Sequence, residues 1–321
     1  GRDAITLPKS LTMDDLIQHD NLQHLGFFRI MITSCKLIFQ LRKIFGQIAM
    51  ALLLPFSVCF LVYIGVWMHY FSEQVSYEET FTRRKLLIFL YSNLICVSFL
   101  IMLSLFWIGA AVYTVASAYA SIPMSFSKIM RSVPRVWARL VTVFLWSRLM
   151  VLIFGVLGIV FLIDIKGDAI SKYWWWLCVV AYIVAVVCVS VLWGMGSIIS
   201  VMEDIYGVRS MAKAWTVLGG KRMVAGIFII LLEVFMAGVE AMDGLLVATG
   251  YLNIFLRILI GVVALLLFMV ALLIAPVFET LLYFVCKSRH QEAVDRRVLA
   301  LHLDAFIAHS APPHADCVQG V

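Results

Sequence analysis

Hydrophobic positions along this chain come in long unbroken runs. Six of them, spanning roughly 44–70, 86–115, 140–163, 173–199, 223–249 and 252–286, reach or exceed the ~20 residues that a helix needs to cross a bilayer core. The run VTVFLWSRLMVLIFGVLGIVFLI, residues 141–163, contains a single charge. Hydrocarbon offers nothing to bond an exposed peptide group, so each run must close its own hydrogen bonds as a helix. The pattern predicts an all-α polytopic membrane bundle of six transmembrane helices.

Between the runs the pattern changes three times to a helical period with one basic face. In the first segment Phe27, Ile30, Met31, Ser34, Ile38 and Leu41 share a face, while Arg29, Lys36 and Lys43 recur every seven residues on another. In SFSKIMRSVPRVWARL, residues 125–140, Phe126, Ile129, Met130 and Val133 oppose Lys128 and Arg131. Pro134 is expected to end that helix or to begin the next. In the third, Val208, Met211, Ala212, Trp215 and Leu218 oppose Arg209 and Lys213, and Gly219–Gly220 is expected to stop the helix. Each segment closes on a base at the entrance of a span: Lys43, Arg139 and Arg222. The chain therefore reads as three divergent repeats of an amphipathic helix plus a two-span hairpin. Such helices are expected to sink their apolar faces into the acyl boundary. Lys36, Lys43, Lys128, Arg131, Arg135, Arg139, Arg209 and Lys213 then meet anionic lipid headgroups, at ~1 kcal/mol each. Anchoring the bundle is the plain role for these helices; a lipid-sensing or partner-docking surface is the sharper one.

Composition agrees. The chain is 63% hydrophobic and 14% charged, whereas a soluble domain is about one quarter charged. The net charge of +6 is modest for 321 residues and belongs to the membrane boundary, so no nucleic-acid partner is expected. Basic residues gather before spans one, three and five, and the opposite loops are balanced or acidic. The positive-inside rule then puts both termini in the cytoplasm, with Arg83, Arg84 and Lys85 as the exception. The expected organisation is a polar N-terminal tail at 1–24, a six-helix membrane domain at 25–286 and a cytoplasmic C-terminal tail at 287–321, with a short helix in the tail. No cleavable leader is expected in the polar N-terminal tail.

The stretches HLGFFRI, CKLIFQLRKIFGQI, AVYTVASAYASIPMSFSKIMRSVPRVWARL, SVMEDIYGVRSMAKAWTVLGGKR and LLYFVCKSRHQEAVD resemble a plant family of six-span membrane proteins. Some of its members carry the label polyadenylate-binding-protein-binding protein. The likeness runs from about Leu25 to about Asp304. More loosely, the repeat is similar to bacterial membrane domains that precede glycerophosphodiester phosphodiesterases. The resemblance implies a helical endomembrane protein of plants, in the endoplasmic reticulum or another endomembrane with the plasma membrane as alternative. It brings no catalytic residue.

Catalytic motifs are missing from the sequence itself. GMGS at 194–197 lacks the strand and the lysine of a phosphate loop and is expected to let helices approach. No HExxH or CxxC occurs, and His302, His309, His314 and Cys317 in the tail have no metal-site spacing. No catalytic residue, metal or cofactor is expected, and an enzyme is disfavoured.

The candidate chemistry is charge inside the runs. Arg148 falls in span three, Glu233, Glu240 and Asp243 in span five, and Arg257 in span six; Glu279 stands near the inner end of six. A charge at the bilayer centre costs about 2.5–3.5 kcal/mol on insertion scales, so it should face protein or water. Glu233 and Glu240, seven apart, share a helix face. Arg257 is expected at the depth of Glu240 and Asp243, and Arg148 either reaches inward or meets Glu233. These groups fit ion pairs that fix helix register, or a polar path for a cation or small polar solute through a channel-like or carrier-like transport protein. A homo-oligomer is compatible with either. The alternative function is a non-conducting endomembrane scaffold or adaptor that binds lipids or partners through the basic helices.

Overall fold

The computed structural model describes residues 26–76, 83–120, 125–164, 171–203, 205–248 and 253–289. Among them there are nine α-helices and no strand: α1 Phe27–Gln40, α2 Arg42–Ile48, α3 Leu54–Ser76, α4 Arg83–Tyr119, α5 Phe126–Asp164, α6 Ser171–Met202, α7 Val208–Val217, α8 Arg222–Ala248 and α9 Ile254–Arg289. Six stretches are long and apolar enough to cross a membrane: Arg42–Trp67, Leu90–Tyr119, Val136–Val160, Trp176–Met202, Arg222–Met242 and Phe255–Ser288. These are spans one to six. The N-terminal tail and the tail beyond Arg289 lie outside the described residues.

Span one is not a single helix. α2 and α3 are joined by a π-helical turn, Ala49–Leu53. Pro55 has no N–H to give the carbonyl one turn back, and a widened turn just before it is one way a helix absorbs that loss. Pro134 behaves otherwise. It lies inside α5, which runs unbroken through the second amphipathic segment and span three. The expected break is absent, so in this repeat the amphipathic helix and the span form one continuous rod.

The amphipathic faces also find a different partner from the expected one. Ile30, Ser34 and Leu37 of α1 are buried, and Phe27 packs on Phe278 of α9 at 5.7 Å between ring centroids. Ser210, Met211 and Ala214 of α7 are buried as well, with Met211 and Ser210 close to Gly196 of α6. Val208, Ala212 and Trp215 turn outward instead. The stripe of α1 is thus covered in large part by neighbouring helices, and that of α7 only at Met211 and Leu218. A hydrophobic stripe specifies burial without saying what covers it. The bases remain outside: Lys36, Lys43, Lys128, Arg131 and Arg209 are exposed and Arg139 is half-buried. The Arg135 side chain lies outside the described ones.

This packing concentrates the core at the end of the bundle that carries the three basic segments. One large cluster joins Ile44, Phe45 and Ile48 of α2 to Leu105 through Ala118 of α4, Ile129 and Val133 of α5, Ile198 of α6 and Val277 through Cys286 of α9. Stacked rings stitch it together, Tyr119 on Phe284 at 4.3 Å and Phe228 on Phe278 at 3.8 Å. Small residues let helices approach in span two, where Ala110 and Ala111 are fully buried and Gly109 faces Val133 and Leu140. Gly158, Gly226 and Gly238 have open space where a side chain would be.

Away from that end a smaller cluster forms around Phe56, Leu100, Val239, Ala264 and Phe268. There the Tyr63 hydroxyl donates to Asn93 Oδ1 at 2.7 Å, tying span one to span two. Interhelical hydrogen bonds in membranes are worth about 0.6 kcal/mol on average. Tyr63→Phe should therefore lower the thermal midpoint of the detergent-purified chain by only a degree or two. A drop as large as that of a core truncation would show that the bond carries more of the hairpin than this.

Candidate functional site

The structure sorts the charged side chains into three groups. The first is at mid-membrane depth. Arg148 stands near the middle of Val136–Val160, and Glu233 near the middle of Arg222–Met242. Both side chains are exposed on the outer surface of the single chain, and Glu240 is half-buried. The Arg148 guanidinium lies over the Phe144 ring at 4.9 Å and the Trp193 ring at 5.6 Å. Such cation–π contacts support a cation that has shed water. Glu233 is near enough to act electrostatically on Arg148 and on Glu240. The expected meeting of Arg148 with Glu233 is thus an electrostatic one, with aromatic rings holding the guanidinium in place. Arg257, half-buried at the start of span six, is engaged by a partner. The Asp243 side chain lies outside the described ones.

The second group sits at the basic end and went unread in the sequence. Glu203, directly after α6, receives Lys287 Nζ at 2.6 Å and the Tyr283 hydroxyl at 2.7 Å on Oε1, and pairs with Lys213 Nζ at 2.6 Å through Oε2. Lys287 also donates to the Tyr283 hydroxyl at 3.1 Å. Burial alone raises the carboxyl's pKa, but contacts from Lys213, Lys287 and Tyr283 outweigh it and hold the group at about 2. Lys213, one of the bases assigned to lipid headgroups, is also one arm of this clamp, which joins α6, α7 and α9.

The third is a lone carboxyl. Glu279 of α9 points at Gly194 of α6 so closely that a Cβ built there would lie 2.5 Å from both carboxylate oxygens. The half-buried Glu279 lines a small cavity with Val191, Met195, Ala225, Phe228, Ile229 and Leu282. The first glycine of GMGS therefore does permit a close approach, by a carboxyl rather than by a backbone. The signal was present as spacing: Glu279, Tyr283 and Lys287 are four apart and form one stripe of α9. Among the described residues no group of three metal-ligating side chains comes together.

Six crossing-length helices, a core gathered at one end and charges at mid-depth define a multi-pass, all-helical membrane protein. Residues 13–319 match the family model described as Domain of unknown function (DUF8558), and the chain belongs to that family. No curated protein matches the chain, and no solved structure does.

Proposed function

We propose that the chain is a membrane transport protein that works as an assembly of copies. A polar path for a cation or small polar solute runs where spans three and five of neighbouring copies meet. One observation carries this reading: Arg148 and Glu233 are both exposed on the outside of a single chain, at the middle of their spans. Charges at that depth face protein or water, because lipid exposure costs several kcal/mol. A second copy, with water between the copies, meets that requirement. Gly226, seven residues before Glu233 and so on the same face of α8, has open space where a side chain would be, and so admits a close neighbour. In this reading Glu233 coordinates the permeating species, Arg148 sets the opposing field, and Glu240, Asp243 and Arg257 line the end away from the basic segments.

The basic end faces the cytoplasm in this proposal, and an endomembrane is the favoured location. The exposed Lys36, Lys43, Lys128, Arg131 and Arg209 support a second reading, a scaffold that holds anionic lipids or partners without conducting. No catalytic role is proposed.

Flux in proteoliposomes separates the two readings. Glu233→Gln is expected to lower cation flux about tenfold while the protein keeps its assembly state in native mass spectra, since charge rather than shape is removed. Equal flux in Glu233→Gln and the parent, or a monomer in bilayer nanodiscs, overturns the transport reading.

A further inference from the structure

Glu279 is an acid with no task in the path just described. The residues that line its cavity, Val191 and Met195 of α6, Ala225, Phe228 and Ile229 of α8 and Leu282 of its own helix, carry no charge and no side-chain oxygen. Gly194 faces it with backbone alone. An ionised carboxylate left there uncompensated is expensive to bury, yet the chain provides a tailored place for the group: any side chain at 194 would occupy the position of its oxygens. The ligand that fits is decided by counting donors. A metal cation such as Ca2+ needs about six oxygen ligands, and only the two oxygens of Glu279 are present. The cavity, about 10 Å3, has no room for such a shell. A proton needs only that carboxyl.

We infer that Glu279, seated against Gly194, is a proton-binding site that exchanges with the basic end of the bundle, past the Tyr283 hydroxyl. Tyr283 stands one turn further along the same face of α9, fully buried, and its hydroxyl already donates to Glu203 Oε1. Glu203 keeps 14% of its side-chain surface exposed. On release the Glu279 O–H bond breaks, its proton passes to water, and the net change is one proton from Glu279 to solvent. The titratable and charged groups along the line are Tyr283, Glu203, Lys287 and Lys213, all at the solvent end. Among the described residues, none of the others that line the cavity is titratable. This site does not depend on the assembly reading above, because it lies between α6, α8 and α9 within one chain.

Infrared difference spectroscopy on the full chain in nanodiscs tests it. Between mildly acidic and mildly alkaline buffer the parent is expected to lose a protonated-carboxyl C=O band that shifts in heavy water. Glu279→Gln should lack that band, and Glu233→Gln should keep it. Should Glu279→Gln fail to fold, Glu279→Asp takes its place, and a displaced band is the expected result. Tyr283→Phe should retain the band but slow its hydrogen–deuterium exchange at least about tenfold, an effect that lost packing alone would push the other way. A band that does not titrate, or that persists in Glu279→Gln, overturns the proton site. Unchanged exchange in Tyr283→Phe overturns the route. Loss of the transport reading leaves all of these outcomes as they are.

Discussion

Glu203→Ala is expected to lower the stability of the bundle by about 2–3 kcal/mol, because it removes the one acid that two ammonium groups share. Lys213 and Lys287 both lie 2.6 Å from that carboxylate, with side chains 33% and 17% exposed. In the variant they face each other across a void, beside a Tyr283 hydroxyl without its acceptor. Thermal unfolding in detergent should fall by several degrees, with Glu203→Gln in between. The pH dependence has a definite sign. The carboxyl titrates at about 2 in the folded chain against an ordinary 4.5. Its contribution is therefore fully present above pH 4.5 and disappears as pH falls towards 2. The parent should lose stability steeply across that window, and Glu203→Gln should lose less. Parallel acid profiles for the two proteins would show that the clamp contributes nothing.

Gly194→Ala should damage the bundle more than its one added carbon suggests. The new Cβ would sit 2.5 Å from both oxygens of Glu279, closer than carbon and oxygen tolerate. The displaced carboxyl has only the ~10 Å3 cavity to enter. Overpacking of this kind costs about 1–3 kcal/mol, here compounded by moving an acid among apolar side chains. The thermal midpoint should drop by several degrees, and Glu279→Ala in the same chain should restore most of the loss, a coupling that a double-mutant cycle measures. Gly226→Ala and Gly238→Ala are the contrast. Nothing lies within 4 Å of a Cβ at either place, so the single chain should tolerate both. A Gly194→Ala protein as stable as these two would mean that Glu279 is held elsewhere.

The sequence carried the architecture because bilayer thickness is written directly in run length. Six runs became six crossing-length helices, and the three basic amphipathic segments stand at the head of spans one, three and five. Pro134 misled because an early proline in a long helix sacrifices one bond without ending it, and α5 passes through it. The amphipathic stripes misled in a more instructive way. Ile30, Leu37 and Met211 have the spacing of residues that meet acyl chains, yet α9 and α6 cover them. Apolar periodicity reads the same against lipid and against protein. The charged groups divide along similar lines. Arg148 and Glu233 were visible because a charge inside a run is conspicuous. Lys213 was visible as a base, but its partner Glu203 comes from another helix and Lys287 from a third. Gly194 and Glu279, 85 positions apart, meet only once spans four and six are side by side.

The uneven distribution of the core has a mechanical meaning. In spans three and four the buried side chains, such as Leu140, Val143, Val189, Met195 and Ile199, all lie in the halves nearest the basic segments. The remaining halves, from Leu152 to Val160 and from Trp176 to Val184, show most of their large side chains to the outside. A hairpin packed on the bundle mainly in the halves nearest the basic segments has one easy deformation, a bend of the outer halves about that contact. Sideways pressure from the surrounding bilayer therefore acts on this pair as on a lever, with the Glu203 clamp and the Gly194 contact close to its fulcrum.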